Sequence, residues 1–151
     1  MKVLMVCLGN ICRSPLAEGV LKDKAKKHQL NWVIESAGTN GLHNGEAPHP
    51  LSQKVALQHG IDIRDQVSRR CTATDFDVYD KIYVMADDVM HQLKQIAGKK
   101  FDVNKVDYFL NELQPNSNAA VPDPWYGNED GYIKVYDIIN KTCDAIIEKY
   151  K

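Results

Sequence analysis

The sequence predicts an α/β fold: one domain built on a four-stranded parallel sheet with helices on both faces. Three observations carry this. Short apolar runs alternate with longer segments of helical period. The first run, KVLMV, lacks the polar alternation of a half-exposed strand, as a strand buried on both faces would. The 151 residues suffice for one core of ordinary size and are too few for two.

Lys2 to Val6 is the first strand, bounded by a Gly9-Asn10 turn. Ser14-Pro15 predicts a helix start, with serine as N-cap and proline at the first helical position. Leu16, Ala17, Val20, Leu21 and Ala25 then recur at helical spacing, while Lys22, Lys24, Lys26 and Lys27 occupy other, solvated faces. Trp32 to Ile34 is the second strand, followed by the loop SAGTNGLHNGEAPHP. Leu51 to His59 is a short helix that Gly60 ends. Lys81 to Met85 and Val106 to Leu110 are the third and fourth strands, with a helix over Asp88 to Ala97 between them. Tyr132, Val135, Tyr136, Ile139, Cys143, Ile146, Ile147 and Tyr150 stripe a long last helix. There is no internal repeat or linker, so residues 1–151 read as one domain.

Composition narrows the function. A net charge of −1 with 26% charged residues gives no global field to draw nucleic acid or an anionic membrane. No stretch reaches the length of a membrane span, and the N-terminus lacks a signal peptide's apolar core, so a cytoplasmic protein is expected. Cysteines at 7, 12, 71 and 143 lack the spacing of a zinc site, and size with no export signal opposes structural disulfides. No metal is expected.

The chemistry concentrates in VCLGNICRSP, residues 6–15, at a strand-to-helix turn where the carboxyl end of a parallel strand places ligands. Gly9 and Asn10 tolerate the positive φ that would turn successive N–H groups inward to make an anion nest. Arg13 adds a planar fork for two phosphoryl oxygens. These surroundings stabilise a thiolate, which makes Cys7 the candidate nucleophile. No Gly-Lys-Ser/Thr follows, so the loop cradles phosphate without being a nucleotide site. Phosphoryl transfer from an alcohol or phenol also needs an acid for the leaving oxygen; Asp123 in VPDPWYGNED, braced by two prolines, is the candidate.

VCLGNICRSP, SAGT after the second strand, GID near residue 60 and DPWYG before the last helix together resemble the low-molecular-weight protein tyrosine phosphatases over essentially the whole chain. The resemblance implies a metal-independent, cofactor-free, two-step hydrolysis in which Cys7 forms a cysteinyl phosphate. Arg13 and the loop residues Leu8, Gly9, Asn10, Ile11, Cys12 and Ser14 hold the phosphoryl group. Asp123 protonates the tyrosyl oxygen and then deprotonates the hydrolytic water. The Ser14 hydroxyl bonds the sulfur, Asn10 and Ser36 brace the loop, and Cys12 forms a reversible disulfide with Cys7 under oxidant. Trp125 and Tyr126 wall a slot for a flat aryl ring, with core packing as the bland reading of both. The implied partner is a phosphotyrosine protein, the product inorganic phosphate, and the protein a monomer or weak dimer.

Four positions depart from the family pattern: Trp125 stands where tyrosine is usual, Leu42 or His43 at the opposite wall, Ala86 after the third strand for aspartate, and Gln66 for a loop-supporting histidine. Two relatives on the same fold are rivals. Arsenate reduction needs a thiol relay that Cys71 and Cys143, far apart in sequence, do not suggest. A protein-arginine phosphatase tends to carry threonine where Ile11 stands, and the apolar branch of Ile11 favours a phenolic ester. A phosphate-binding protein without turnover would be expected to lack Cys7, Arg13 or Asp123, and all three are present.

Overall fold

The first strand occupies the middle of the sheet, not its edge. In a computed structural model that describes residues 1–125 and 127–151, β1 (Lys2–Cys7) lies between β2 (Val33–Gly38) and β3 (Lys81–Val84), and β4 (Val106–Tyr108) lies outside β3. All pairings are parallel, with Cys7 opposite Gly38 and Val6 opposite Val84. The chain leaves β1 for β2 on one side and returns for β3 on the other. The carboxyl end of β1 is therefore the topological switch point, where the strand connections part and leave a crevice.

Alternation along β1 divides the core in two. Val3, Met5 and Cys7 face a cluster built with α1 (Arg13–Lys27), α2 (Pro50–Gln58) and α5 (Glu129–Tyr150). Leu4 and Val6 face a second cluster with α3 (Asp75–Val78) and α4 (Asp87–Ala97). The chain is thus the single-domain, four-stranded parallel α/β fold expected, helices covering both faces. Every residue of the α5 stripe from Tyr132 to Ile147 is buried as its spacing requires. Among the described residues no helix is long and apolar enough to cross a membrane.

Several boundaries differ from the sequence reading. β2 runs on through Glu35, Ser36, Ala37 and Gly38, weak strand formers that ladder pairing to β1 holds extended. The fourth strand stops at Tyr108, and Phe109–Glu112 is a 3-10 turn. The four-residue α3 is too short to show a period. α1 begins at Arg13 rather than after Ser14; Cys12 is its N-cap without a side-chain cap bond, and Pro15 is the third helical residue. Proline costs nothing there, because first-turn N–H groups have no helical acceptor.

Candidate active site

The loop from Cys7 to Arg13 is shaped by where its carbonyls go. Cys7 and Leu8 carbonyls accept from Thr39 N–H at 3.1 and 3.0 Å, Leu8 also from Asn40 N–H, and Ile11 from His49 N–H at 2.8 Å. Hydroxyls take two more: Ser68 on Gly9 at 3.4 Å and Ser52 on Cys12 at 3.2 Å. In a planar trans peptide a carbonyl turned outward turns the next N–H inward. The N–H groups of residues 8, 9, 10, 12 and 13 accordingly converge, and that of Asn10 reaches Cys7 Sγ at 3.3 Å. This is the anion nest expected at the head of α1. Only Asn10, at φ 57°, takes the left-handed conformation there. Gly9 does not; its need is space, since a Cβ would lie 3.1 Å from the His43 ring.

Under the loop the hydrogen-bond directions are fixed one by one. Asn10 Oδ1 accepts from Arg69 N–H at 3.1 Å, so the other end of its amide is the donor. That NH2 donates to Ser14 Oγ at 2.9 Å and Ser36 Oγ at 3.0 Å. Ser36 passes its proton to buried Glu18 at 2.7 Å, and Lys22 bonds the other Glu18 oxygen at 2.6 Å. The Ser14 proton is left for Cys7 Sγ, 2.9 Å away. Sequence reasoning named Asn10, Ser14 and Ser36 but missed Glu18 and Arg69. Arg69 is itself forked onto Asp75 by two 3.0 Å bonds. Gln66 does not join this network; its Nε2 donates to Pro15 O at 3.0 Å.

Above the loop opens a cavity of about 370 Å³. Cys7, Leu8, Gly9, Ile11, Cys12 and Arg13 line its base, and Asn40, Leu42, His43, Asp123 and Trp125 its rim. Arg13 is 4% exposed and held by the Val121 carbonyl at 3.1 Å, with Asp123 Oδ2 3.7 Å from its guanidinium. The other Asp123 oxygen accepts from Trp125 N–H at 3.0 Å, fixing the carboxylate at the mouth. Trp125 is 42% exposed, so it is not core; His43 and His49 lie against it, with ring centroids 5.5 and 5.4 Å away. Glu46 holds His43 by a 2.8 Å bond. Tyr126 lies outside the described residues. A larger cavity of about 510 Å³ on the Glu18 side has no cysteine in its lining.

All four cysteines are free and buried. Burial pushes the Cys12 thiol up to about 11, although the Tyr132 hydroxyl, 3.5 Å from its sulfur, pulls the other way. Burial likewise raises Cys71 to about 11. Cys71 and Cys143 sit in the two different core clusters, on opposite faces of the sheet. Ala86 is the N-cap of α4 and makes no side-chain cap bond.

A family model for low molecular weight phosphotyrosine protein phosphatase matches residues 2–151. A protein of that description from Gallus gallus is 34% identical over 149 residues, 97% of this chain and 94% of that one. Among solved structures, a protein tyrosine phosphatase from Entamoeba histolytica with Hepes in the active site superposes with a TM-score of 0.90 at 35% identity, covering 99% of this chain and 96% of that one. A Drosophila arginine phosphatase superposes with a TM-score of 0.91 at 28% identity, covering 100% and 98%.

Proposed function

The chain belongs to the low molecular weight phosphotyrosine protein phosphatases, and from that membership we propose that it hydrolyses phosphotyrosine in proteins, and small aryl phosphates, through a cysteinyl phosphate on Cys7. The observation that carries this reading is the juxtaposition of a hydrogen-bonded sulfur, an inward-facing N–H nest, buried Arg13 and Asp123 around one cavity. The N–H nest and Arg13 hold the phosphoryl oxygens and place phosphorus over the sulfur. An S–P bond forms as the P–O(aryl) bond breaks, and Asp123 gives its proton to the departing oxygen. Asp123 then takes a proton from water, which attacks phosphorus; the S–P bond breaks and inorganic phosphate leaves. No metal or organic cofactor takes part.

Two rivals share the fold. The likeness to an arginine phosphatase keeps phosphoarginine in the test. Ile11 in the base and Trp125 and Leu42, 42% and 77% exposed at the rim, favour a flat apolar ring over a guanidinium. Separation of Cys71 from Cys143 leaves arsenate reduction without a visible relay. Free thiols suit a reducing, cytoplasmic setting. Reversible Cys7–Cys12 pairing and action as a monomer or weak dimer complete the reading; mass spectrometry after peroxide and sedimentation check them.

The decisive experiment offers a phosphotyrosine peptide, phosphoarginine and arsenate in EDTA to wild type and Cys7→Ser. Cys7-dependent release of phosphate from the phosphotyrosine peptide alone is expected. Preference for phosphoarginine or arsenate, or a metal requirement, would overturn the reading. Asp123→Ala should slow phenyl phosphate far more than an ester with a strongly acidic phenol; equal losses would remove Asp123 from the acid role.

A further inference from the structure

A third cavity, of about 430 Å³, adjoins the catalytic one and shares Asn40 with it; Thr39, Arg70, Gln92, Gln95 and Ile96 complete its lining. We propose that this cavity seats an acidic side chain of the substrate polypeptide next to the phosphotyrosine, with Arg70 as the residue that selects it. The inference rests on the phosphotyrosine reading above.

Placement comes first. The cavity wall hangs on the catalytic loop itself, because Thr39 N–H and Asn40 N–H are the donors to the Cys7 and Leu8 carbonyls. Residue 70 is tied to the same place, since its backbone bridges Gly38, the partner of Cys7 in the sheet. A polypeptide that presents its phosphotyrosine to Cys7 and leaves over the rim at Asn40, the residue both cavities share, runs toward this one. A flanking side chain then falls into the adjoining cavity.

The chemistry follows from how Arg70 is held. Its Nε donates to the Thr39 carbonyl at 3.2 Å, and its stem packs beside Gly41, where a Cβ would stand 3.2 Å from Arg70 Cδ. The guanidinium is therefore oriented, yet its outer nitrogens meet no carboxylate among the described residues. The other three arginines, Arg13, Arg64 and Arg69, each pair with an aspartate. An oriented fork without a counter-charge is a receptor for a carboxylate. The neighbouring amides reinforce the sign. Asn40 Oδ1 accepts from Leu42 N–H at 2.9 Å and Gln92 Oε1 from the Thr39 hydroxyl, so the NH2 ends of both remain as donors. No acidic residue lines the cavity.

The test compares phosphotyrosine peptides that carry Glu, Ala or Lys in turn at each of the positions flanking the phosphotyrosine, with p-nitrophenyl phosphate as the substrate that has no flank. In wild type, Glu at one position should raise kcat/KM over Ala by about threefold to tenfold, the range of a charge-assisted contact open to solvent on one side. Arg70→Gln should erase that preference and Arg70→Glu should turn it toward Lys, while both keep p-nitrophenyl phosphate turnover within about twofold of wild type. Four results would overturn the inference: a wild type indifferent to flanking charge, a preference that survives Arg70→Gln, equal losses on peptide and small substrate, or an Arg70→Gln effect confined to inhibition by free phosphate. The last would assign the site to a free anion. Uniform turnover of all peptides sinks only this inference, whereas no turnover of any phosphotyrosine peptide sinks the functional reading with it.

Discussion

At Cys7 the sulfur receives two hydrogen bonds, from Asn10 N–H at 3.3 Å and from the Ser14 hydroxyl at 2.9 Å, and the second is directional because every donor behind it is already committed. Arg69 N–H sets the Asn10 amide, Asn10 occupies the Ser14 oxygen, and the Ser14 proton has only the sulfur to go to. On the mechanism proposed above, the sulfur gives up charge as it attacks phosphorus and regains it as it leaves in the second half of the reaction, so only there does the transition state gain from a donor on sulfur. Ser14→Ala should therefore slow hydrolysis of the cysteinyl phosphate more than its formation. A hydrogen bond to a charged group is worth about 1.5–3 kcal/mol, so kcat should fall by about tenfold or more. Rapid mixing with p-nitrophenyl phosphate should show a burst of phenol before the slower steady state. A single phase at the wild-type rate would mean that this bond does nothing for the departing sulfur.

At the scale of elements, α1 is the support on which the loop stands, and its first nine residues, Arg13 to Leu21, are all buried. Gly19 lets this half of the helix close on the segment after α2: a Cβ there would lie 2.4 Å from Ile63 Cγ2, a stiff branched carbon 2% exposed. Alanine would gain about 1 kcal/mol of helix propensity but incur an overpacking cost of about 1–3 kcal/mol. Gly19→Ala is thus expected to lower the unfolding free energy by about 1 kcal/mol, read as a lower urea midpoint at unchanged slope; a higher midpoint would show that residues 61–63 give way. The same element separates what was legible from what was not. The gathering of Cys7, Asn10, Arg13 and Ser14 in one loop was legible because the anion-binding pattern is contiguous, and the candidate acid Asp123, which the structure places at the same cavity, stood out because two prolines flank it. The helix start was misread at Ser14-Pro15, where local propensity makes serine a cap but the sulfur claims its hydroxyl. Glu18, Arg69 and Arg70 carried no local pattern, since their roles come from Ser36, Asn10 and Thr39 on other parts of the chain. The end of β2 was hidden likewise, because pairing with β1 overrides the weak strand preference of its residues.

Across the whole molecule, stability should form a plateau bounded by identifiable groups. On the acid side, Glu112 ties the turn after β4 to β3 and α5, accepting from the Tyr83 hydroxyl at 2.7 Å and Lys149 at 2.9 Å. Burial alone would push this carboxyl up, but the hydrogen bonds from Tyr83 and Lys149 outweigh it and hold it below the usual carboxylate range. A carboxyl depressed in the folded state stabilises above its unfolded value, about 4.3, and that stability drains as pH falls through the lower folded value. On the alkaline side, burial raises Cys12 and Cys71 to about 11. Unfolded thiols ionise near about 8.5, so the stability of keeping them neutral is complete below that pH and is lost as pH climbs toward the folded value. Thermal unfolding followed across pH should accordingly be flat between about 5 and 8 and fall on both flanks. Glu112→Gln should lower the plateau and flatten the acid limb, because the amide still accepts from Tyr83 but no longer titrates. Cys71→Ala should blunt the alkaline limb without touching the acid one. An acid limb of unchanged steepness in Glu112→Gln would move the origin of acid unfolding away from the Tyr83–Glu112–Lys149 junction and onto the remaining carboxylates.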